Sequence, residues 1–150
     1  MKGRIEDKIK ELLEFKDFLL KVVPDTFDKY KYDLEKKAVC ERYSEKIIEN
    51  IVDLAFLVSR YKNIELPAEI SDTQVFDILK KHKIISERLA KKLQEAKGMR
   101  NIIAHEYGKI DDEIIYRAVS EELEEDIEEF VLEVNKLLWV DMTFLEILPF

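Results

Sequence analysis

Apolar residues recur at three- and four-residue intervals along almost the whole chain, which is the spacing of amphipathic α-helices. A first helix is predicted from Gly3 to Val22, and Pro24 ends it because proline cannot continue a helix. A second, long helix is predicted from Thr26 to Tyr61, with Asp25 as its N-cap and one break near Tyr32. This half of the chain is therefore predicted to be helical throughout.

Three further helix starts carry capping residues. Ser71 and Gln74 have the spacing of a capping box, in which each side chain accepts a hydrogen bond from the backbone amide of the other residue. Ser86 is predicted to cap the next helix, and Asp111 or Asp112 the last one, because an oxygen acceptor satisfies free N–H groups at a helix start. The chain is therefore predicted to be all-α, an antiparallel bundle of four to five helices.

Composition agrees with this fold class. The 150 residues are 47% hydrophobic, enough for a core, and include only three Gly and three Pro, few for the turns of a β-rich fold. We expect residues 1–150 to form a single domain in the cytoplasm, with the lone Cys40 as a small buried residue. No apolar run reaches the roughly 18 residues of a membrane span. The apolar tail 144–150 is expected to dock on the protein's own core or on a partner.

The net charge of −8 argues against a general nucleic-acid binder, but the charges are unevenly distributed. Residues 80–109 contain nine Lys and Arg against three Glu, whereas residues 111–133 contain eleven acidic residues and a single basic one, Arg117. Such a pattern is typical of solvated helix faces, or of two neighbouring helices that attract each other. It also surrounds the candidate chemistry with positive charge.

The candidate chemistry lies in one stretch, Arg-Asn-Ile-Ile-Ala-His-Glu-Tyr at 100–107, which is predicted to end a helix before Gly108. His105 can donate and accept a proton near neutral pH. Arg100 carries a permanent, forked positive charge that matches phosphate oxygens, so the pair suits chemistry on a phosphodiester. Tyr107 adds a hydroxyl that can be modified. No metal or other cofactor is expected, since no His/Cys cluster has ligand spacing.

Arg100 and His105 point about 140° apart on an ideal helix, so one straight helix does not direct both side chains at one small target. The long, flexible Arg100 on a helix that frays before Gly108 could still reach the same target as His105. Alternatively, a two-fold homodimer would bring two copies of Arg100 and His105 into one groove. Two histidines in one cleft suit acid–base cleavage of RNA, in which one withdraws the 2′-OH proton and the other protonates the leaving 5′ oxygen.

Non-catalytic explanations exist for the same residues. His105 could hydrogen-bond a backbone carbonyl, and Arg100 could pair with Glu95, Glu106 or the acidic last helix. His82 has no comparable neighbours and is expected at the surface. Several aromatic residues near the N-terminus are expected to pack in the core or an interface, although they could stack on nucleic-acid bases. These residues are Phe15, Phe18, Phe27, Tyr30 and Tyr32.

The motif Arg-Asn-x-x-x-His-x-Tyr at 100–107 resembles the signature of the HEPN superfamily, and most closely that of the HepT-like toxins of HepT–MntA toxin–antitoxin systems. The similarity includes Glu-Lys-Ile-Ile-Glu-Asn-Ile at 45–51, the loop around Pro67 and the start of the last helix. It spans about Met1 to Leu138.

The resemblance implies a homodimeric, metal-independent endoribonuclease, the toxin of a type VII toxin–antitoxin system. It implies Arg100 and His105 as the catalytic pair, leaving a 2′,3′-cyclic phosphate, and Asn101 as the residue that positions the arginine or the phosphate. It implies Tyr107 as the acceptor of AMP from an MntA-like nucleotidyltransferase, which blocks RNA by bulk and charge. Two alternatives remain: a non-catalytic helical module that binds or recruits a nucleotidyltransferase, and a structural bundle without a nucleic-acid role.

Overall fold

The computed structural model describes residues 1–105, 108 and 110–147, with side chains described as far as residue 141. Within these residues the chain is helical and contains no strand, which confirms the predicted fold class. The helices are α1 (Lys2–Val22), α2 (Phe27–Tyr32), α3 (Leu34–Tyr61), α4 (Asp72–Lys81), α5 (Glu87–His105), α6 (Asp112–Arg117) and α7 (Leu123–Ile147). A π-helical turn, Ala118–Glu122, joins α6 to α7 without a loop.

The helix starts of the second half follow the capping pattern of the sequence. Ser71 and Gln74 form the complete capping box at the start of α4. The hydroxyl of Ser86 accepts from the amide of Leu89 at 3.0 Å in the first turn of α5. Asp111, rather than its neighbour, caps α6 by accepting from two backbone amides. Local sequence therefore fixes where these helices begin.

The long helix predicted over 26–61 is divided in two at Asp33. The prediction that Asp25 caps it is wrong, because the hydroxyl of Thr26 accepts from the amide of Lys29 at 3.2 Å and caps α2. Asp25 instead pairs with the Lys29 ammonium at 2.9 Å. Asp33 then caps α3, so the predicted break near Tyr32 is confirmed.

Four long helices enclose the core. Helix α1 packs on α3 and α7, α5 packs on the same two helices, and α4 lies against α3 and α5. Lys8 lies 3.6 Å from Asp53, while Phe15 packs edge-on against Tyr43. Later residues of α1 thus meet earlier residues of α3, which makes this pair antiparallel.

The basic and acidic segments of the sequence meet where α5 packs on α7. Arg88 donates to Glu129 at 2.8 Å, and Lys92, one turn later on α5, lies near Asp126, about one turn earlier on α7. This pair of helices is antiparallel as well. The structure thus supports the explanation of the charge pattern by two neighbouring helices that attract each other.

The core combines side chains from all the described helices, and Cys40 is buried in it, as predicted. Phe27 is partly buried and stacks on Tyr116, whereas Phe18 contacts Tyr43 but stays 40% exposed and does not belong to the core. Tyr30 is fully buried, whereas Tyr32 is 76% exposed and does not pack in the core. Among the residues described, no helix is long and apolar enough to cross a membrane.

Candidate functional site

Arg100 lies near the end of α5 and faces α3. Its Nη2 donates to Oε1 of Glu49 at 2.7 Å, a short, charge-assisted hydrogen bond. The Arg100 side chain is only 20% exposed, against 43% for Glu49. Pairing with Glu95 or with the acidic last helix was an alternative, but in the described contacts Arg100 pairs with Glu49. Glu95 stands five residues earlier on α5, about 140° around the helix from Arg100.

The guanidinium of Arg100 keeps further donors. The bond to Glu49 occupies one of its five N–H groups. Its Nε is buried and has no hydrogen-bond partner within the described residues. Because Nε is buried, a phosphate oxygen would approach the guanidinium through its Nη groups, of which one N–H is bonded to Glu49.

His105 and Asn101 are both exposed on α5. His105 stands about 7.5 Å along the helix axis and about 140° around it from Arg100. The structure therefore places the two members of the candidate pair on different faces of one helix, as the spacing predicts. The proposed AMP acceptor, Tyr107, lies outside the described residues, and so does Glu106, a further alternative partner of Arg100.

Among the described residues, neither His82 nor Cys40 forms a second site of the same kind. His82 is exposed at the C-cap of α4, as predicted. Burial raises the pKa of Cys40 to about 11, so its thiol stays protonated and is a poor nucleophile. In the described part of the chain, no three His, Cys, Asp or Glu side chains converge on a point where a metal ion would fit.

A small cavity of about 150 Å³ lies between α5 and the α6–α7 junction, beside Met99. Asp126 lines it and is 6% exposed, and burial raises the pKa of this carboxyl to about 6. Sequence reasoning missed this buried acid, because it stands in a run of acidic residues whose other members are partly or fully exposed. The available signal was its spacing, since Leu123 and Phe130 place position 126 on the buried face.

Comparisons with solved structures define the class of fold. A tri-AMPylated HEPN toxin from Shewanella oneidensis, solved in complex with an MNT antitoxin, matches with a TM-score of 0.80 at 23% identity. The match covers 88% of this chain and 96% of that one. YutE from Bacillus subtilis, a cytosolic protein of unknown function, matches with a TM-score of 0.71 at 18% identity, covering 91% and 92% of the two chains. The bundle therefore has the HEPN fold.

The chain belongs to the HepT-like ribonuclease family, whose sequence profile, described as "Ribonuclease HepT-like", matches residues 5–134. A tRNA nuclease HepT from Aphanizomenon flos-aquae is 26% identical over 117 residues, 77% of this chain and 78% of the relative. An mRNA nuclease HepT from Shewanella oneidensis is 28% identical over 87 residues, 58% of this chain and 63% of that protein. The family match includes the whole 100–107 motif.

Proposed function

We propose that this protein is a metal-independent endoribonuclease and the toxin of a type VII toxin–antitoxin system. The observation that carries the proposal is the family match over residues 5–134, which includes Arg100 and His105. Two HepT relatives are described as a tRNA nuclease and an mRNA nuclease, which supports RNA as the substrate class.

The chemistry follows from the properties of the two side chains. His105 is exposed and accepts the proton of a ribose 2′-OH, whose oxygen then attacks the adjacent phosphorus. A second His105 protonates the departing 5′ oxygen as the P–O5′ bond breaks. Arg100 stabilises the charge of the pentacovalent phosphorane, and the exposed Asn101 orients the arginine or the phosphate. The products are a 2′,3′-cyclic phosphate and a 5′-OH.

The separation of Arg100 and His105 on α5 supports a homodimer in which two copies complete one cleft. Each subunit, residues 1–150, acts as one domain in this arrangement. Light scattering should give twice the 17.8 kDa of one chain at micromolar concentration. A monomer at that concentration would contradict the shared cleft.

Control by a nucleotidyltransferase is the second part of the proposal. The solved S. oneidensis HEPN toxin is AMPylated and bound to an MNT antitoxin, which supports an MntA-like partner for this chain. We assign Tyr107 as the hydroxyl that attacks the α-phosphorus of ATP and releases pyrophosphate. The attached AMP adds bulk and negative charge beside the cleft and so repels RNA.

Tyr107→Phe tests this assignment, because it removes the acceptor oxygen and keeps the ring. Intact-mass analysis after co-expression with the partner should show AMP on the wild type and none on the variant. Tyr32→Phe is the matched control, since Tyr32 is 76% exposed and lies outside the motif. Equal AMP addition to wild type and Tyr107→Phe would move the acceptor elsewhere.

His105→Ala tests the ribonuclease itself. In EDTA, the variant should cleave RNA at least about 100-fold more slowly than wild type, the usual contribution of a general acid–base group. His82→Ala is the matched control, because both histidines are exposed and neither belongs to the core. If wild type cuts no RNA but binds the nucleotidyltransferase, the non-catalytic module is the correct alternative.

A further inference from the structure

Glu49 stands on a stretch of α3 that is fixed on two sides. Ile48 and Ile51 are buried in the core on either side of it. The next residue, Asn50, is also buried and accepts from Nζ of Lys8 at 3.3 Å, while its own amide group donates to Glu11 at the same distance. The backbone of Glu49 therefore has little freedom to move relative to α1.

The contact between Glu49 and Arg100 joins this fixed stretch of α3 to the motif on α5, 51 residues further along the chain. The bond is monodentate, from one Nη2 to one carboxylate oxygen, at 2.7 Å. The bond holds Nη2 of the planar guanidinium and leaves other Nη N–H groups for a second acceptor. Without this anchor, a flexible arginine side chain samples many rotamers, and its fork loses a defined direction.

We propose that Glu49 is a positioning residue that fixes the direction of the Arg100 guanidinium toward the reacting phosphate. The proposal rests on the ribonuclease function proposed above. The Glu49 carboxylate also makes the Arg100–Glu49 pair close to neutral, so Glu49 does not help to attract RNA by charge. Its contribution should therefore appear in the catalytic step rather than in substrate binding.

The kinetic test compares Glu49→Ala, Glu49→Gln and wild type on one RNA in EDTA. We expect Glu49→Ala to lower kcat about tenfold or more, with KM changed less than about twofold, because misplacement of a catalytic group acts on the transition state. Glu49→Gln should recover much of the loss, since its amide oxygen still accepts from Nη2. Asp53→Ala, one turn along α3 and paired with Lys8, is the matched control and should match wild type.

Faster cleavage by either Glu49 variant would overturn the proposal, because Glu49 would then act as a brake that competes with the phosphate for Arg100. Equal rates in Glu49→Ala and wild type would overturn it too. A purely structural role predicts that stability and kcat fall together and that Gln gives no selective rescue. In an Arg100→Ala background, Glu49→Ala should have no further effect on the rate.

A measurement that does not depend on cleavage separates this proposal from the ribonuclease function. The Nε–H signal of Arg100 in ¹⁵N NMR, assigned by its loss in Arg100→Lys, should show an ordered side chain in wild type and in Asp53→Ala. Glu49→Ala should make that side chain mobile on the ps–ns timescale. An equally ordered signal in Glu49→Ala would refute positioning, whereas absence of RNA cleavage by wild type would refute only the proposed function.

Discussion

Replacing Asp126 by asparagine should stabilise this protein at neutral pH and stabilise it far less in acid. Asp126 is 6% exposed on α7 and faces the small cavity beside α5. The pKa of its carboxyl is raised to about 6, chiefly by burial and in smaller part by Glu122 and Glu129, while Lys92 and Arg88 oppose the rise. The charged form is therefore the disfavoured form in the folded state.

The size of the effect follows from the two pKa values. The unfolded chain titrates this carboxyl near its ordinary 3.8, while the folded state holds it at about 6. At about 1.4 kcal/mol per pH unit, the ionised carboxylate lowers the free energy of unfolding by up to about 3 kcal/mol above pH 6. Because the folded pKa is raised, this loss is absent below about pH 4 and grows as the pH rises to about 6.

Urea unfolding of wild type and Asp126→Asn at about pH 4 and about pH 7.5 measures how much the ionised carboxylate lowers the free energy of unfolding. The stability advantage of the variant should increase between the two pH values by up to about 3 kcal/mol. Glu125→Gln is the matched control, since Glu125 is an exposed acid that directly precedes Asp126. It should change the free energy of unfolding by no more than about 0.5 kcal/mol at either pH. An advantage of Asp126→Asn that is the same at both pH values would refute the reasoning.

Three further predictions follow from the described contacts. Tyr30→Phe should raise the free energy of unfolding by about 1 kcal/mol, because the buried hydroxyl of Tyr30 has no partner among the described residues; a loss of stability in urea would contradict this. Ser71→Ala should lower the free energy of unfolding by about 1 kcal/mol, since it removes half of the α4 capping box, and an unchanged urea midpoint would contradict it. Arg100→Lys should keep the helical circular dichroism signal and cut RNA at least about tenfold more slowly, because lysine keeps the charge but not the fork; wild-type cleavage would exclude a need for that fork.

Helix starts were predictable where the determinants are local. Ser71, Gln74 and Ser86 act on amides within three residues, so their roles depend on sequence spacing alone. Asp25 and Thr26 are adjacent, and both side chains can accept from the first amides of α2. Which of them caps the helix depends on the local path of the backbone, which residue spacing does not reveal. The π-helical turn 118–122 likewise has no simple residue signature.

The relative placement of the candidate residues on their helix was predictable, but the residues that surround them were not. Both Arg100 and His105 lie on α5, so the angle of about 140° between them follows from helix geometry alone. The contact from Arg100 to Glu49 joins residues 51 positions apart, and only the packing of α5 on α3 produces it. The burial of Asp126 was not predicted, because a run of acidic residues such as 121–129 is typical of a solvent-exposed helix face.

The central claim is that Arg100 and His105 cut RNA by attack of the ribose 2′-OH on the adjacent phosphate. Mass spectrometry of fragments from a defined RNA, cut in EDTA, tests this claim most directly. We predict fragments with a 2′,3′-cyclic phosphate and a 5′-OH, and no cut where the ribose at that step is 2′-deoxy. Fragments with a 3′-OH and a 5′-phosphate, or cleavage only when a divalent metal is added, would contradict it.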